Sequence, residues 1–160
     1  MVLKFYSFYN IEQFMYAYPE MKERFKKLQN DMVEILEGKN KIEDNIKYDT
    51  YKSVDFQNIT QKHIKGDVVL NRVISIINAY EKRLENIENE IKEILFLDEM
   101  YNSVINKLNK YETKILHLRY TKNIEWKNIA KEMDMTIRNC TYIKEKMVVK
   151  FYKYCKEIIN

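Results

Sequence analysis

Two glycines and one proline in 160 residues leave this chain very little with which to turn tightly. Two-residue hairpins rely on Asn-Gly, Asp-Gly or Gly-rich pairs, and the sequence has none. The scarcity speaks against an all-β fold and for one dominated by long regular helices, an all-α protein. A hydrophobic content of 46% is enough for a packed core, while 32% charged residues and the lack of any apolar run near eighteen residues speak against a membrane protein. Met1–Tyr6 carries no basic leader and no small-residue cleavage site, so no signal peptide is expected and the protein is read as cytoplasmic. Cys140 and Cys155, fifteen residues apart on one helix, would lie about 22 Å from each other, too far for a disulfide. They are read as small apolar residues. With His63 and His117 they form no ligand spacing, and neither a metal nor a cofactor is expected.

Taken in order, residues 2–18 gather Phe5, Tyr6, Phe8, Tyr9, Phe14, Tyr16 and Tyr18 with little charge. This is a short helix or an irregular arm, and its aromatics need burial on the body of the protein or against a second copy. Pro19 followed by Glu20 predicts a helix start, Met21, Phe25, Leu28, Met32, Ile35 and Leu36 give it one apolar stripe, and Gly38 is placed to end it. From Lys39 to Gly66 the apolar residues scatter, which predicts a long connection with one short helix, and His63 stands alone in it. From Asp67 the pattern returns. Val69, Val73, Ile76, Tyr80, Leu84, Ile87, Ile91 and Ile94 predict a helix of some thirty residues with a coiled-coil-like seam. That seam over residues 67–97 would meet either the earlier helix at 20–37 or a second chain, as a homodimer. Asp98 then caps a new helix or continues the old one. The reading divides the chain into an N-terminal helical region, 1–97, for dimerisation or partner binding, and a C-terminal domain, 98–160, of short helices.

Charge follows that division. From Asp98 onward there are thirteen Lys or Arg against eight Asp or Glu, while the first 97 residues hold fifteen against sixteen. A basic excess of this kind suits a surface that follows phosphates. The passage that organises the C-terminal part is Ile129-Ala130-Lys131-Glu132-Met133-Asp134-Met135-Thr136 and the helical pattern continuing to about Phe151. It reads as two helices meeting at a tight corner. Ala130 stands where the second helix crosses the first and only a small side chain fits, and Ile129, Met133, Met135, Cys140 and Ile143 fall on the inward side.

Leu108, Glu112, Ile115-Leu116-His117-Leu118-Arg119-Tyr120, Trp126-Lys127-Asn128-Ile129-Ala130 and Met133–Thr136 occur in an order and spacing that resembles the promoter-binding region 4 of sigma-70-type factors. The closest likeness is to phage-encoded sigma-like regulators of the ArpU and RinA type, and it covers roughly residues 98–151. The resemblance implies a C-terminal helix-turn-helix and a DNA-binding transcriptional regulator, phage- or mobile-element-encoded, that also touches RNA polymerase. Two departures stand out. Asp134 occupies the corner position that is usually Gly, and the helix after it lacks the Arg, Glu, Arg and Gln with which the sigma family reads its promoter element.

The residues themselves still have chemistry to offer double-stranded DNA. On the helix from Thr136, Arg138 fits a guanine edge, Asn139 an adenine, and Thr141 a methyl group or a phosphate, with Tyr142 on the same outward side. Thr136 is a helix cap whose hydroxyl or helix end can meet a phosphate. Lys122, Lys127, Lys144 and Lys146 would position the protein on the backbone. Trp126 is read as core, and Arg119 either bonds across helices or meets the DNA backbone. A competing reading is a protein-interaction module that binds RNA polymerase or another regulator through the same corner without touching DNA, for which Glu132, Asp134 and Glu145 are suitable. A DNA-recognition subunit of a phage packaging machine ranks last, because such subunits carry their helix-turn-helix at the N-terminus. No Gly-rich phosphate loop, ligand cluster or nucleophile set suggests an enzyme.

Overall fold

The computed structural model describes the backbone of residues 8–52 and 59–159, and the side-chain surroundings of residues 10–45 and 71–158. Among these residues there is no strand. Helix α1 runs Phe8–Lys52, α2 Ile59–Ile105 and α3 Lys110–Ile115, which continues as a π-helical turn over Leu116–Thr121, and α4 Trp126–Glu132 and α5 Ile137–Ile159 follow. An all-α protein is therefore what the shortage of turn residues produces. None of the described helices is long and apolar enough to cross a membrane.

Helix α1 corrects three expectations. It begins by Phe8 and carries Pro19 in its interior, so Pro19 does not open it. It passes through Gly38 without stopping, and it continues to Lys52, so most of the connection expected over residues 39–66 is helix. What remains between α1 and α2, residues 53–58, lies outside the described residues, as do Phe5, Tyr6 and the side chains of Phe8, Tyr9 and His63. The physical reason is that a helix tolerates one poor residue when burial on either side of it is sufficient. Before Pro19, Ile11, Phe14 and Met15 are almost wholly buried; after it, so are Leu28 and Ile35.

Two compact units can be distinguished along the chain, one of Met1–Arg24 with Lys92–Asn160 and one of Phe25–Ile91. In the second unit α1 and α2 meet at Gly38, where an added Cβ would stand 3.4 Å from the Tyr80 hydroxyl, and at Lys39, whose ammonium lies 2.8 Å from Glu81. The seam of α2 thus faces the earlier helix of its own chain. Its spacing is the expected one, with Ile87 buried and Val73, Tyr80, Leu84 and Ile91 half-buried, except that Ile76 is exposed and Ile77 takes its place. Gly38→Ala should raise the unfolding free energy by about 1 kcal/mol, since the new methyl group meets Tyr80 at ordinary contact distance and a helix-interior glycine is removed. Denaturant melts of the two proteins check this, and a lower stability would mean that the Tyr80 ring cannot yield.

In the first unit Phe14 and Tyr18, from the N-terminal aromatic stretch, pack on the body of the same chain. Phe14 meets Tyr101 edge-on at 5.8 Å between ring centroids, Tyr18 stacks on Tyr101 at 3.5 Å, and Tyr101 touches Phe151 at 5.5 Å. Around them Ile11, Met15, Met100, Val104, Ile115, Leu118, Ile129, Cys140, Met147 and Cys155 complete one core. Helix α2 runs through the expected boundary at 97/98, and Asp98 continues it. Its carboxylate accepts from the Tyr18 hydroxyl at 2.5 Å and from the Lys22 ammonium at 2.8 Å.

Partial burial opposes ionisation of Asp98, but the bonds from Lys22 and Tyr18 outweigh it and hold the carboxyl below its ordinary value of 3.8. A carboxyl depressed in the folded state stabilises it above the unfolded value, and that contribution is lost as pH falls through the folded one. Asp98→Asn should therefore cost stability at about pH 7 and cost less at about pH 3, below the ordinary carboxyl value, where the unfolded chain already binds the proton that the native carboxyl resists. Urea melts at the two pH values read the difference. Equal losses at both would exclude the ionic contribution.

Candidate nucleic-acid interface

The corner between α4 and α5 is built by backbone geometry. Helix α4 starts after Glu125, in extended conformation, and ends at Met133. Asp134 then takes a positive φ of 52°, the left-handed conformation that ordinarily favours glycine. The Ala130 carbonyl accepts the Met135 N–H at 2.9 Å and the Lys131 carbonyl the Asp134 N–H at 3.2 Å, which is the paired closure of a Schellman turn. Asp is among the few side chains that enter this region at modest cost, so the corner forms without glycine. Thr136 opens α5, its hydroxyl accepting the Asn139 N–H at 3.2 Å. Ile129, Ala130, Met133 and Cys140 are buried and Met135 and Ile143 half-buried against the same core, as their inward positions require.

Helix α3 supports this pair from behind. Asn109 caps it by accepting the N–H groups of Tyr111 and Glu112, and Glu112 returns the bond by accepting the Asn109 N–H at 2.9 Å. The same Glu112 oxygen accepts from Lys150 of α5 at 2.7 Å. Among the described residues Glu112 is the buried charged one, 2% exposed, and the pair ties α3 to α5. In the π-helical turn Leu118 and Tyr120 are buried, while Arg119 donates to the Ile124 carbonyl at 3.2 Å and lies 5.5 Å from the Trp126 ring and 5.6 Å from that of Tyr16. Arg119 thus bonds across the connection to α4, one of the two roles its sequence allowed. Trp126 is half-buried on the core.

The expected contact residues separate into distinct groups. Arg138, Tyr142, Glu145 and Val149, at spacings of four, three and four, form one outward row on α5, and all four are exposed. Lys146 flanks the row with its ammonium 4.4 Å from the centre of the Tyr142 ring. Asn139 is exposed beside Arg138, and Thr141 is half-exposed, its hydroxyl donating to the Ile137 carbonyl at 3.0 Å. Lys122 and Lys127 are exposed on the π-turn side and on the first turn of α4. Lys144 stands apart. It lies on the inward side, one turn after buried Cys140, and its ammonium is 2.7 Å from Glu12 of α1. Tyr120 also bonds Glu12, and burial, followed by the charge of Glu12, raises its hydroxyl pKa. As placed, Lys144 secures the first turns of α1 to α5.

Sequence reasoning passed over one residue here and assigned another only to the competing reading. Glu145, read as suited to a protein partner, stands in the same outward row as Arg138; Glu12, which was passed over, is joined to its partner only by the fold. Burial pushes the Cys155 thiol up to about 12 and raises that of Cys140 as well, which removes both from thiolate chemistry at neutral pH. Among the described residues, no three His, Cys, Asp or Glu side chains gather as a metal site would need. Comparison of the chain with protein-family models, with curated proteins and with solved structures finds no match.

Proposed function

We propose that the protein is a sequence-specific, DNA-binding transcriptional regulator whose α4–α5 corner acts as a helix-turn-helix and docks α5 in the major groove of double-stranded DNA. The observation that carries this reading is the outward row of α5. Directly after a tight corner, the helix exposes Arg138, Asn139, Tyr142 and Lys146, and the core needs none of them. An α-helix with its side chains is about as wide as the major groove. Lys122 and Lys127 supply positive charge on the neighbouring elements, in a region with a basic excess. Kinship with sigma region 4 is part of the proposal, supported by the order of α3, α4 and α5 and by the burial of Leu118, Tyr120, Ile129 and Ala130. The α2 seam is not proposed as a dimer surface, since α1 faces it at Gly38 and Lys39.

Binding of the full chain to the DNA upstream of its own gene, measured at several salt concentrations, tests the proposal. Affinity should fall linearly with salt on logarithmic axes, because phosphate contacts release counterions. Replacing Arg138 and Asn139 together by Ala should remove most of the sequence preference while leaving salt-sensitive binding to any duplex. Absent or salt-insensitive binding overturns the proposal. Glu145 and Val149 in the outward row favour, as the second reading, a surface for RNA polymerase or another regulator. That reading requires a protein partner whose capture survives the double replacement.

A further inference from the structure

We infer that Tyr142 reads the 5-methyl group of thymine in the major groove, with Lys146 holding its ring in place; the inference rests on the proposed DNA-binding role of α5. Tyr142 lies one turn after Arg138 in the outward row, in the second turn of the helix, where a docked helix still reaches base edges. It is 57% exposed, so the fold gains little from its ring, in contrast to Tyr101 and Tyr120, which are buried. The Lys146 ammonium sits 4.4 Å from the ring centre and covers one face of it. A cation there orients the ring against the helix and leaves its edge and other face toward whatever the row meets.

Most base-edge groups in the major groove are hydrogen-bond donors or acceptors, and the thymine methyl is the apolar exception. An exposed aromatic ring beside Arg138 suits that group. Arg138, with five donors, suits the two acceptors of a guanine. The row therefore combines a guanine-directed cation with a methyl-directed ring one turn on, and Lys146 neutralises a phosphate or shields the ring from water.

The test uses the full chain and the duplex that it selects from a random-sequence library. The same duplex is then made with deoxyuridine in place of every thymine, which removes the methyl groups and keeps base pairing. The natural protein should bind the uracil duplex about fourfold more weakly for each methyl group it contacts, the effect of exposing one buried methylene-sized group. Tyr142→Ala should bind both duplexes alike. Arg138→Ala should weaken binding to both and keep their ratio. Because Tyr142 is exposed, its replacement should leave the melting temperature unchanged, and circular dichroism confirms that the variant is folded. A protein that selects a sequence yet binds both duplexes equally, a selected site without thymine, or a Tyr142→Ala variant that keeps the ratio overturns the inference alone. Failure to select any sequence, with salt-insensitive binding, overturns the DNA-binding reading and the inference with it.

Discussion

Lys150→Met should lower the unfolding free energy by about 3 kcal/mol, because it strands a buried carboxylate. Glu112 is 2% exposed, and without Lys150 its charge retains the Asn109 N–H but no cation. For a chain of this size the loss corresponds to roughly 10 °C in melting temperature. The second replacement makes the argument sharper. Adding Glu112→Gln to Lys150→Met should recover most of the loss, since the amide oxygen can still accept the Asn109 N–H and no charge remains buried. Thermal and urea melts of the two single variants and the double variant form the cycle. Additive losses would exclude the explanation, because they would mean that the two side chains act independently.

Pro19→Ala should have the opposite sign. Inside α1 the proline has no N–H to give to the Met15 carbonyl, and its ring crowds the preceding turn. An alanine restores the bond and relieves the crowding, worth about 3 kcal/mol in a helix interior, from which about 1 kcal/mol is lost to the freer unfolded chain. The net expectation is a gain of about 2 kcal/mol in a denaturant melt. A loss would show that Phe14, Met15 and Tyr18 depend on the local distortion that the proline imposes, and that a straightened helix seats them less well.

Where the fold was legible, a periodic or local signal carried it. The inward positions from Ile129 to Ile143 and the cap at Thr136 depend on neighbours a few residues away. The outward row of α5 follows from the same spacing. Helix over residues 39–52 was not legible, because Lys, Asn and Asp dominate that stretch and the apolar residues there do not form a clear stripe. Pro19 and Gly38 misled for a related reason: each is a breaker by local cost, and burial elsewhere along α1 exceeds that cost. The Asn109-x-x-Glu112 spacing is that of a capping box, a local signal that the sequence reading passed over. That Glu112 is also buried and paired with Lys150 depends on the packing of α3 against α5. Lys144 is the clearest limit, since its partner Glu12 is 132 residues away and no local pattern connects them.

The core that supports α5 is closed by the two ends of the described chain. Ile11, Phe14 and Met15 of α1 are buried in the same cluster as Phe151 and Cys155 of α5. During synthesis the early helix therefore emerges long before the side chains that cover it, and its apolar face stays open while α2, α3 and α4 are made. Closing so long a loop is slow compared with forming local helix. A fragment starting at Asp98 would meet the same difficulty in permanent form, because it would lack Ile11, Phe14 and Met15. The unit that presents α5 is assembled late, and it cannot be cut out of the chain as one continuous piece.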